Sequence, residues 1–367
     1  MNVALIADWL PTYGGAEHVI AELNVLWPEA PIFTTVARHG RLGPLDRAEI
    51  RTSGLQKWYR LLRRHELLLP WMPRAVERMD LRGFDVIVSS SHAVAKGVIP
   101  PSNAVHICYC HTPMRYAWEM EDEYLRDFRV PKILHRTAKR FLKSIRRWDL
   151  TTSKRTDVFI ANSSTTQERI ERTYGRESTV IRPPVGDSFF SHPLLPDEQK
   201  KYFLAIGRLV PYKRFDLLIE TANRLSLPLK IAGTGHDEKR LRKLAGPSVE
   251  ILGYVPDDRL PTLYARAKAV LFPQVEDAGV VPLEAQACGT PVIALGIGGV
   301  RDTVQDGVTG IFFEEQTVAA LEKALERFGQ FSFDPASLRE HARKFSSEQF
   351  RSQIADVVER ERRRRKE

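Results

Sequence analysis

Two glutamates in the spacing Glu276-x7-Glu284 lie in the stretch QVEDAGVVPLEAQACGTPVI, residues 274–293. An ionised carboxylate only accepts hydrogen bonds, so it suits ligand hydroxyls, which donate them. Between the two acids, Gly279-Val280-Val281-Pro282 reads as the opening of a helix. Proline is tolerated in a first turn because its missing N–H would be unpaired there anyway. The exposed N–H groups around Gly279 to Glu284 attract an anion, most often a phosphate, and Gly279 lets that ligand approach the backbone closely. Upstream, Arg208 and Lys213 stand in GRLVPYKR. The arginine can fork onto phosphate oxygens, and the lysine supplies a mobile point charge. Carboxylates beside a phosphate cradle repel the phosphate unless they hold something else. A phosphate between two polyhydroxylated rings describes a nucleotide sugar.

The elements that must carry these groups follow from the apolar pattern. Ala269–Phe272 reads as a buried strand ending at Pro273, Leu283 to Cys288 as helix, Gly289-Thr290-Pro291 as its stop, and Val292–Leu295 as the next strand. Glu276 then falls in a loop and Glu284 in the first helical turn. Tyr202–Ile206 reads as a strand that delivers Arg208 and Lys213 into one loop. In the first half, Val3–Ala7 and Phe84–Val88 read as strands, the latter followed by a polar turn, Ser89–His92. Ala104–Cys110 is another strand, and His111 stands just past its end, where ligands bind in open α/β sheets. Gly14 and Gly15 open a helix and suit a phosphate, but they lack the spacing of a dinucleotide fingerprint, which disfavours NAD. Alternating strands and helices in both halves predict an α/β protein, two doubly wound Rossmann-like domains facing one another across a cleft. The prolines after Val180 mark an interdomain linker, so the predicted domains are residues 1–185 and 186–345, with a final helix from 346 into 367.

Glu276-x7-Glu284 followed by Ala-Gln-Ala-Cys-Gly-Thr-Pro-Val-Ile resembles the donor-site signature of the retaining glycosyltransferases of family 4, which have the GT-B fold. Gly207-Arg208-x4-Lys213 is similar to that family's diphosphate clamp. Cys110-His-Thr-Pro-Met-Arg-Tyr-Ala-Trp118 resembles a subgroup of mannosyltransferases that build bacterial surface polysaccharides. The resemblance implies that Glu276 binds hexose hydroxyls, Glu284 holds the ribose, and His111 shapes the hexose pocket. It gives the diphosphate to Arg208, Lys213 and the helix start at Gly279, Val280 and Val281, with Gly14 and above all Gly15 in a loop closing over it. It places Tyr254 and Val255 at the nucleobase and sends the C-terminal helix back to the first domain. The implied reaction moves a hexose, mannose by preference, from a nucleoside-diphosphate sugar to a saccharide or lipid-linked saccharide, with GDP favoured over UDP. The family commonly has an acid two or three places after paired glycines; here Arg301-Asp302 follows Gly298-Gly299, a small departure. No Asp-x-Asp occurs, so cationic side chains rather than a metal are expected to hold the diphosphate, and no cofactor is expected beyond the nucleotide sugar itself.

Composition bounds the alternatives. The chain has 367 residues and a formal charge of +9, and the charge is uneven: 28 Lys/Arg against 20 Asp/Glu in residues 1–185, 27 against 26 in 186–367. Lys132–Arg155 holds nine basic residues and one acid, Asp149, with Ile133, Leu134, Ala138, Phe141, Leu142, Ile145 and Trp148 on one helical stripe. Arg51–Arg82 mixes Trp58, Tyr59, Leu61, Leu62, Leu67–Leu69, Trp71 and Met72 with eight basic residues, a pattern fitting an anionic membrane surface or a pair of core-packing helices. No nucleic-acid motif is evident. Three cysteines make no disulfide framework, and the sequence goes straight into a strand without a signal peptide, which predicts a cytoplasmic protein, peripheral at the inner face of the membrane if the basic helices touch lipid. A basic tail, Arg362–Lys366, reads as disordered. Two other readings use the same anion site: a non-catalytic nucleotide-sugar-binding or membrane scaffold protein, and a different GT-B enzyme such as an epimerase or phosphorylase.

Overall fold

The computed structural model describes residues 1–118 and 135–365, with the side chains of Tyr116 and Ala138 left aside. The expectations on Lys132–Leu134, Ala138 and Lys366 lie outside the described residues. Two compact units account for the chain: Met1–Arg182 together with the stretch from Phe350 onward, and Pro183–Gln349.

The first unit is built on seven parallel strands: β1 (Val3–Ala7), β2 (Ile32–Thr34), β3 (Ile50–Thr52), β4 (Val86–Ser91), β5 (Val105–Cys110), β6 (Val158–Ala161) and β7 (Ser178–Val180). Their spatial order is β3-β2-β1-β4-β5-β6-β7. The chain winds outward from β1 in one direction and resumes at β4 in the other, so β1 and β4 flank a topological switch point. Side chains alternate between faces. Leu5, Val88 and Ile107 meet the helix Gly15–Leu26 through Ile20 and Leu23, and the C-terminal helix Ser347–Arg364 through Phe350, Ile354 and Val357. Ala4, Ile6 and Ile87 face the other way, onto Leu68, Leu69, Met72, Val76 and Ile145.

Strand β4 is longer than its apolar residues predict. Ser89, Ser90 and Ser91 are strand residues, fully paired with β5, not a turn. Neighbouring side chains make this possible, because Ser89 Oγ bonds His106 Nε2 at 2.9 Å and Ser90 Oγ bonds His111 Nε2 at 2.7 Å. The basic tail also departs from expectation, since Arg362, Arg363 and Arg364 continue the C-terminal helix, where Arg362 and Arg364 pair with Glu359 and Glu361 one turn back.

Asp149 is the buried counter-charge of its basic stretch. It ends the inward face of the helix His135–Thr152 and sits 2.7 Å from Lys96 Nζ, with both side chains almost wholly buried. Its other oxygen accepts from Trp118 Nε1 and Tyr174 OH, each at 2.8 Å. Lys96 Nζ lies over the rings of Trp148 and Tyr174 and also donates to Thr152 Oγ1.

The second unit has six parallel strands: β8 (Tyr202–Ile206), β9 (Leu229–Ala232), β10 (Val249–Gly253), β11 (Ala267–Phe272), β12 (Val292–Leu295) and β13 (Gly310–Phe313), in the order β10-β9-β8-β11-β12-β13. The switch point here lies between β8 and β11. Buried side chains cover both faces: Phe203, Ala205, Leu271 and Ile293 on one, and Leu204, Val270, Phe272 and Ala294 on the other. The prolines after Arg182 are not a loose linker. Val185 N–H bonds the Phe345 carbonyl at 2.8 Å, and Phe189 packs into this unit's core.

Asp149→Asn would leave the Lys96 ammonium buried without its counter-ion. The expected loss is about 3–5 kcal/mol of unfolding free energy, measured by urea denaturation. An Asp149→Leu, Lys96→Met double variant is expected to lose less, because neither charge is then stranded.

Candidate functional site

In the second unit the site grows from the two strands at the switch point. Strand β8 ends in Gly207, whose φ of 154° and lack of a side chain let Lys213 fold back across it: a Cβ at 207 would lie 2.9 Å from Lys213 Nζ. The short turn Pro211–Lys213 then directs the lysine inward, where it is almost completely buried. The loop after β11 brings Glu276 to the same place, and Lys213 Nζ and Glu276 Oε1 stand 2.6 Å apart. Arg208, next to Gly207, is exposed at the same end of β8. The sheet therefore brings Arg208, Lys213 and Glu276 to one edge from two adjacent strands.

The Glu276 loop is fixed by close backbone packing. Gly299 N–H donates to the Glu276 carbonyl at 2.9 Å, and a Cβ on Gly299 would come within 2.0 Å of the Asp277 carbonyl oxygen. This explains the paired glycines 298 and 299. Gly279 caps the helix Val280–Ala287 in the left-handed region, with φ 61°. Gly279 has no side chain to cap this helix, and the loop after β11 places its first N–H groups, at Val280 and Val281, at the switch-point edge. Glu284 is the fifth residue of this helix, just past the first turn where the sequence reading put it. Its Oε2 accepts from Tyr264 OH at 2.6 Å. Burial pushes the Glu284 carboxyl up to about 7, against the lowering effect of the Tyr264 bond. Tyr254 and Val255 follow β10 at the outer edge of this sheet, and the Tyr254 ring is 72% exposed.

The first unit repeats the arrangement with different residues. Asp8 follows β1 and is wholly buried, and its two carboxylate oxygens accept from the backbone N–H groups of His92, Ala93, Val94 and Ala95, just past β4. His92 Nδ1 lies 3.0 Å from Asp8 Oδ2. Burial alone would raise the Asp8 carboxyl, but the charge and hydrogen bonds of His92 and Ala95 N–H outweigh it and hold the group below the usual carboxylate range. Burial in turn works against the His92 imidazolium, and Asp8 overrides it, so His92 is shifted toward its charged form. His111 follows β5, with its ring centroid 6.1 Å from that of His92. Burial, assisted by the His92 charge, pushes it down to about 3, so His111 works as a neutral imidazole. Trp9 packs on both His65 and His92, each at 4.9 Å between centroids. Gly14 caps the helix Gly15–Leu26 in an extended conformation, a Cβ on Gly15 would meet nothing within 4 Å, and burial pushes the nearby Glu17 carboxyl up.

Sequence reading singled out His111, Gly14 and Gly15 but missed Asp8 and His92. The available signal was an acid and a histidine each directly after an apolar strand. Recognising them as partners needs the strand order, which puts β1 beside β4.

The profile described as Glycosyltransferase Family 4 matches residues 13–189, and the profile Glycosyl transferases group 1 matches residues 188–345. The chain belongs to the family 4 glycosyltransferases. It is 32% identical over 227 residues to the D-inositol 3-phosphate glycosyltransferase of Geodermatophilus obscurus, a match covering 52% of this chain and 50% of the relative. It is 31% identical over 199 residues to a Mycobacterium tuberculosis protein named GDP-mannose-dependent alpha-(1-6)-phosphatidylinositol monomannoside mannosyltransferase, covering 46% and 52%. The chain thus aligns with about half the length of these curated relatives. The fold is GT-B: Anabaena HepE, solved in complex with UDP-glucose, superposes with a TM-score of 0.71 at 17% identity, covering 98% of this chain and 100% of that one.

The Glu284 shift has a definite sign. A carboxyl whose folded pKa is raised contributes stability while protonated and loses it as pH rises through that value. Glu284→Gln removes this dependence while keeping an oxygen to accept from Tyr264. Between about pH 5 and about pH 8 the stability of the variant relative to wild type is expected to rise by about 1–3 kcal/mol, read from denaturation curves at each pH.

Proposed function

We propose that this family 4 glycosyltransferase moves a hexose, mannose by preference, from a nucleoside-diphosphate sugar to a saccharide or lipid-linked saccharide acceptor, with retention of anomeric configuration. The observation that carries the reading is the Lys213–Glu276 pair, 2.6 Å apart at the switch point of the second unit, in the loop that leads to the glycine-started helix Val280–Ala287. Such a pair offers one group for a diphosphate oxygen and one for a sugar hydroxyl at adjacent positions.

In this reading Lys213, Arg208 and the N–H groups at Val280 and Val281 take the diphosphate. The departing nucleoside diphosphate gains negative charge as the glycosidic bond lengthens, so these groups act most strongly in the transition state. Glu276 accepts from the hexose hydroxyls, Glu284 from the ribose, and Tyr254 and Val255 flank the base. An ionised Glu284 is costly while the site is empty, and ribose hydroxyls donating to it offset that cost. In the first unit His111, neutral at working pH, can donate or accept a hydrogen bond without adding a charge.

The name of the mycobacterial relative supports GDP-mannose as donor, whereas the HepE complex holds UDP-glucose. A melting-temperature screen of GDP- and UDP-sugars separates the two, because a ligand that binds only the folded state raises the midpoint. A shift with GDP-mannose and none with UDP-glucose is the expected result.

Arg208→Ala and Lys213→Ala are each expected to lower turnover by about one to three orders of magnitude, with a smaller effect on the KM for donor, in an assay of radiolabelled sugar transfer. Unchanged turnover in both variants would sink this reading.

A further inference from the structure

The first unit carries a surface to which the proposed reaction assigns no residue. It is formed by the helix Gln56–Leu62, a turn through Arg63 with φ 55°, the short helix His65–Trp71 and the start of the helix Met72–Glu77. Its inner side is anchored: Tyr59, Leu68, Leu69 and Met72 are buried in the core under the sheet. Its outer side has the opposite character from an ordinary water-facing helix. Trp58 is 60% exposed, Leu61 74% and Trp71 57%, with Leu62 and Leu67 also standing out into solvent. The exposed residues between positions 57 and 74 are these five together with Lys57, Arg60, Arg63, Arg64, Pro70 and Arg74. No acid is exposed among them; the single acid in the stretch, Glu66, is partly buried, 3.8 Å from His65.

From this composition we infer that the outer side of residues 57–74 docks the protein on an anionic lipid bilayer. Two tryptophans and three leucines on a rigid base enter the boundary between headgroups and acyl chains, where aromatic rings with a polar edge are favoured. The five basic side chains around them meet the negative headgroups, and their aliphatic stems lie along the apolar layer. A nucleic acid would satisfy the charges but leave the leucines in water. A protein partner would accept both, but nothing in the surface asks for a defined shape, whereas an unbroken mixture of apolar and cationic groups is what a fluid anionic interface receives.

Sedimentation with vesicles of phosphatidylglycerol and phosphatidylethanolamine, beside vesicles of phosphatidylcholine alone, tests the inference on the full chain. Wild type should pellet with the anionic vesicles, less so as salt is raised, and weakly with the neutral ones. A triple variant, Trp58→Ser, Leu61→Ser and Trp71→Ser, and a charge variant, Arg60→Gln and Arg64→Gln, should each weaken binding at least about tenfold. All five positions are exposed, and the melting temperature without ligand should stay as in wild type, showing that the fold is intact. No pelleting of wild type with anionic vesicles, or undiminished pelleting of both variants, would overturn the inference. So would a concentration-dependent dimer that the triple variant abolishes without vesicle binding, which would give the surface to a second copy of the chain. The assay contains neither donor nor acceptor, so its outcome is independent of whether the proposed transfer reaction is right.

Discussion

A charged pair spans the central strand junction in each unit: Asp8 with His92 between β1 and β4, and Lys213 with Glu276 between β8 and β11. Both follow from one constraint. In a parallel sheet whose strand order reverses in the middle, the loops after the two central strands diverge to opposite faces and leave a crevice at the carboxyl edge. Polar side chains placed there are held by buried strands yet remain reachable by ligand. The two junctions differ in chemistry. In the first, the carboxylate is consumed by four backbone N–H groups and serves mainly to orient the loop and the imidazole. In the second, the partners are held by backbone packing at Gly207 and Gly299, and each keeps hydrogen-bonding capacity for something else.

Much of this was legible in the sequence because parallel strands buried on both faces appear as apolar runs. Val3–Ala7, Val105–Cys110 and Ala267–Phe272 all announce themselves that way. The groups that meet at the switch point of the second unit were also legible, since Arg208, Lys213 and Glu276 lie in short spacings that survive without knowledge of the fold. What escaped had a common cause: it depends on which elements become neighbours. Ser89–Ser91 look like a turn until β5 supplies His106 and β5's end supplies His111 as partners. Asp8 and His92 are far apart in sequence, and Asp149 looks like a stray acid in a basic helix until Lys96 is placed beside it. Glu284 was expected in the first helical turn and is the fifth residue of a helix that begins at Val280, just after the left-handed Gly279.

Burial also sorts the histidines into roles that composition cannot assign. His106 is enclosed by Ser89 and the Arg155 carbonyl and is pushed down to about 4, so it serves as a neutral packing residue. His92 is drawn toward the charged state by Asp8, while His111, only a ring away, is kept neutral partly by that same charge. Asp8 thus favours the charged form of His92, whereas burial, helped by the His92 charge and opposed by Asp8 itself, keeps His111 neutral.

The direct contact between Lys213 and Glu276 has a consequence for selectivity. The two side chains satisfy one another at 2.6 Å, so a visitor must compensate both to displace their mutual bond. A lone nucleotide frees the carboxylate without giving it a hydroxyl, and a lone hexose strands the ammonium; only a molecule carrying both halves meets the two demands together. In the proposed reaction the same contact works in reverse. Once the hexose has left, lysine and glutamate can close on each other again, and the spent nucleotide loses its hold, so the pair acts as a latch that resets itself each cycle.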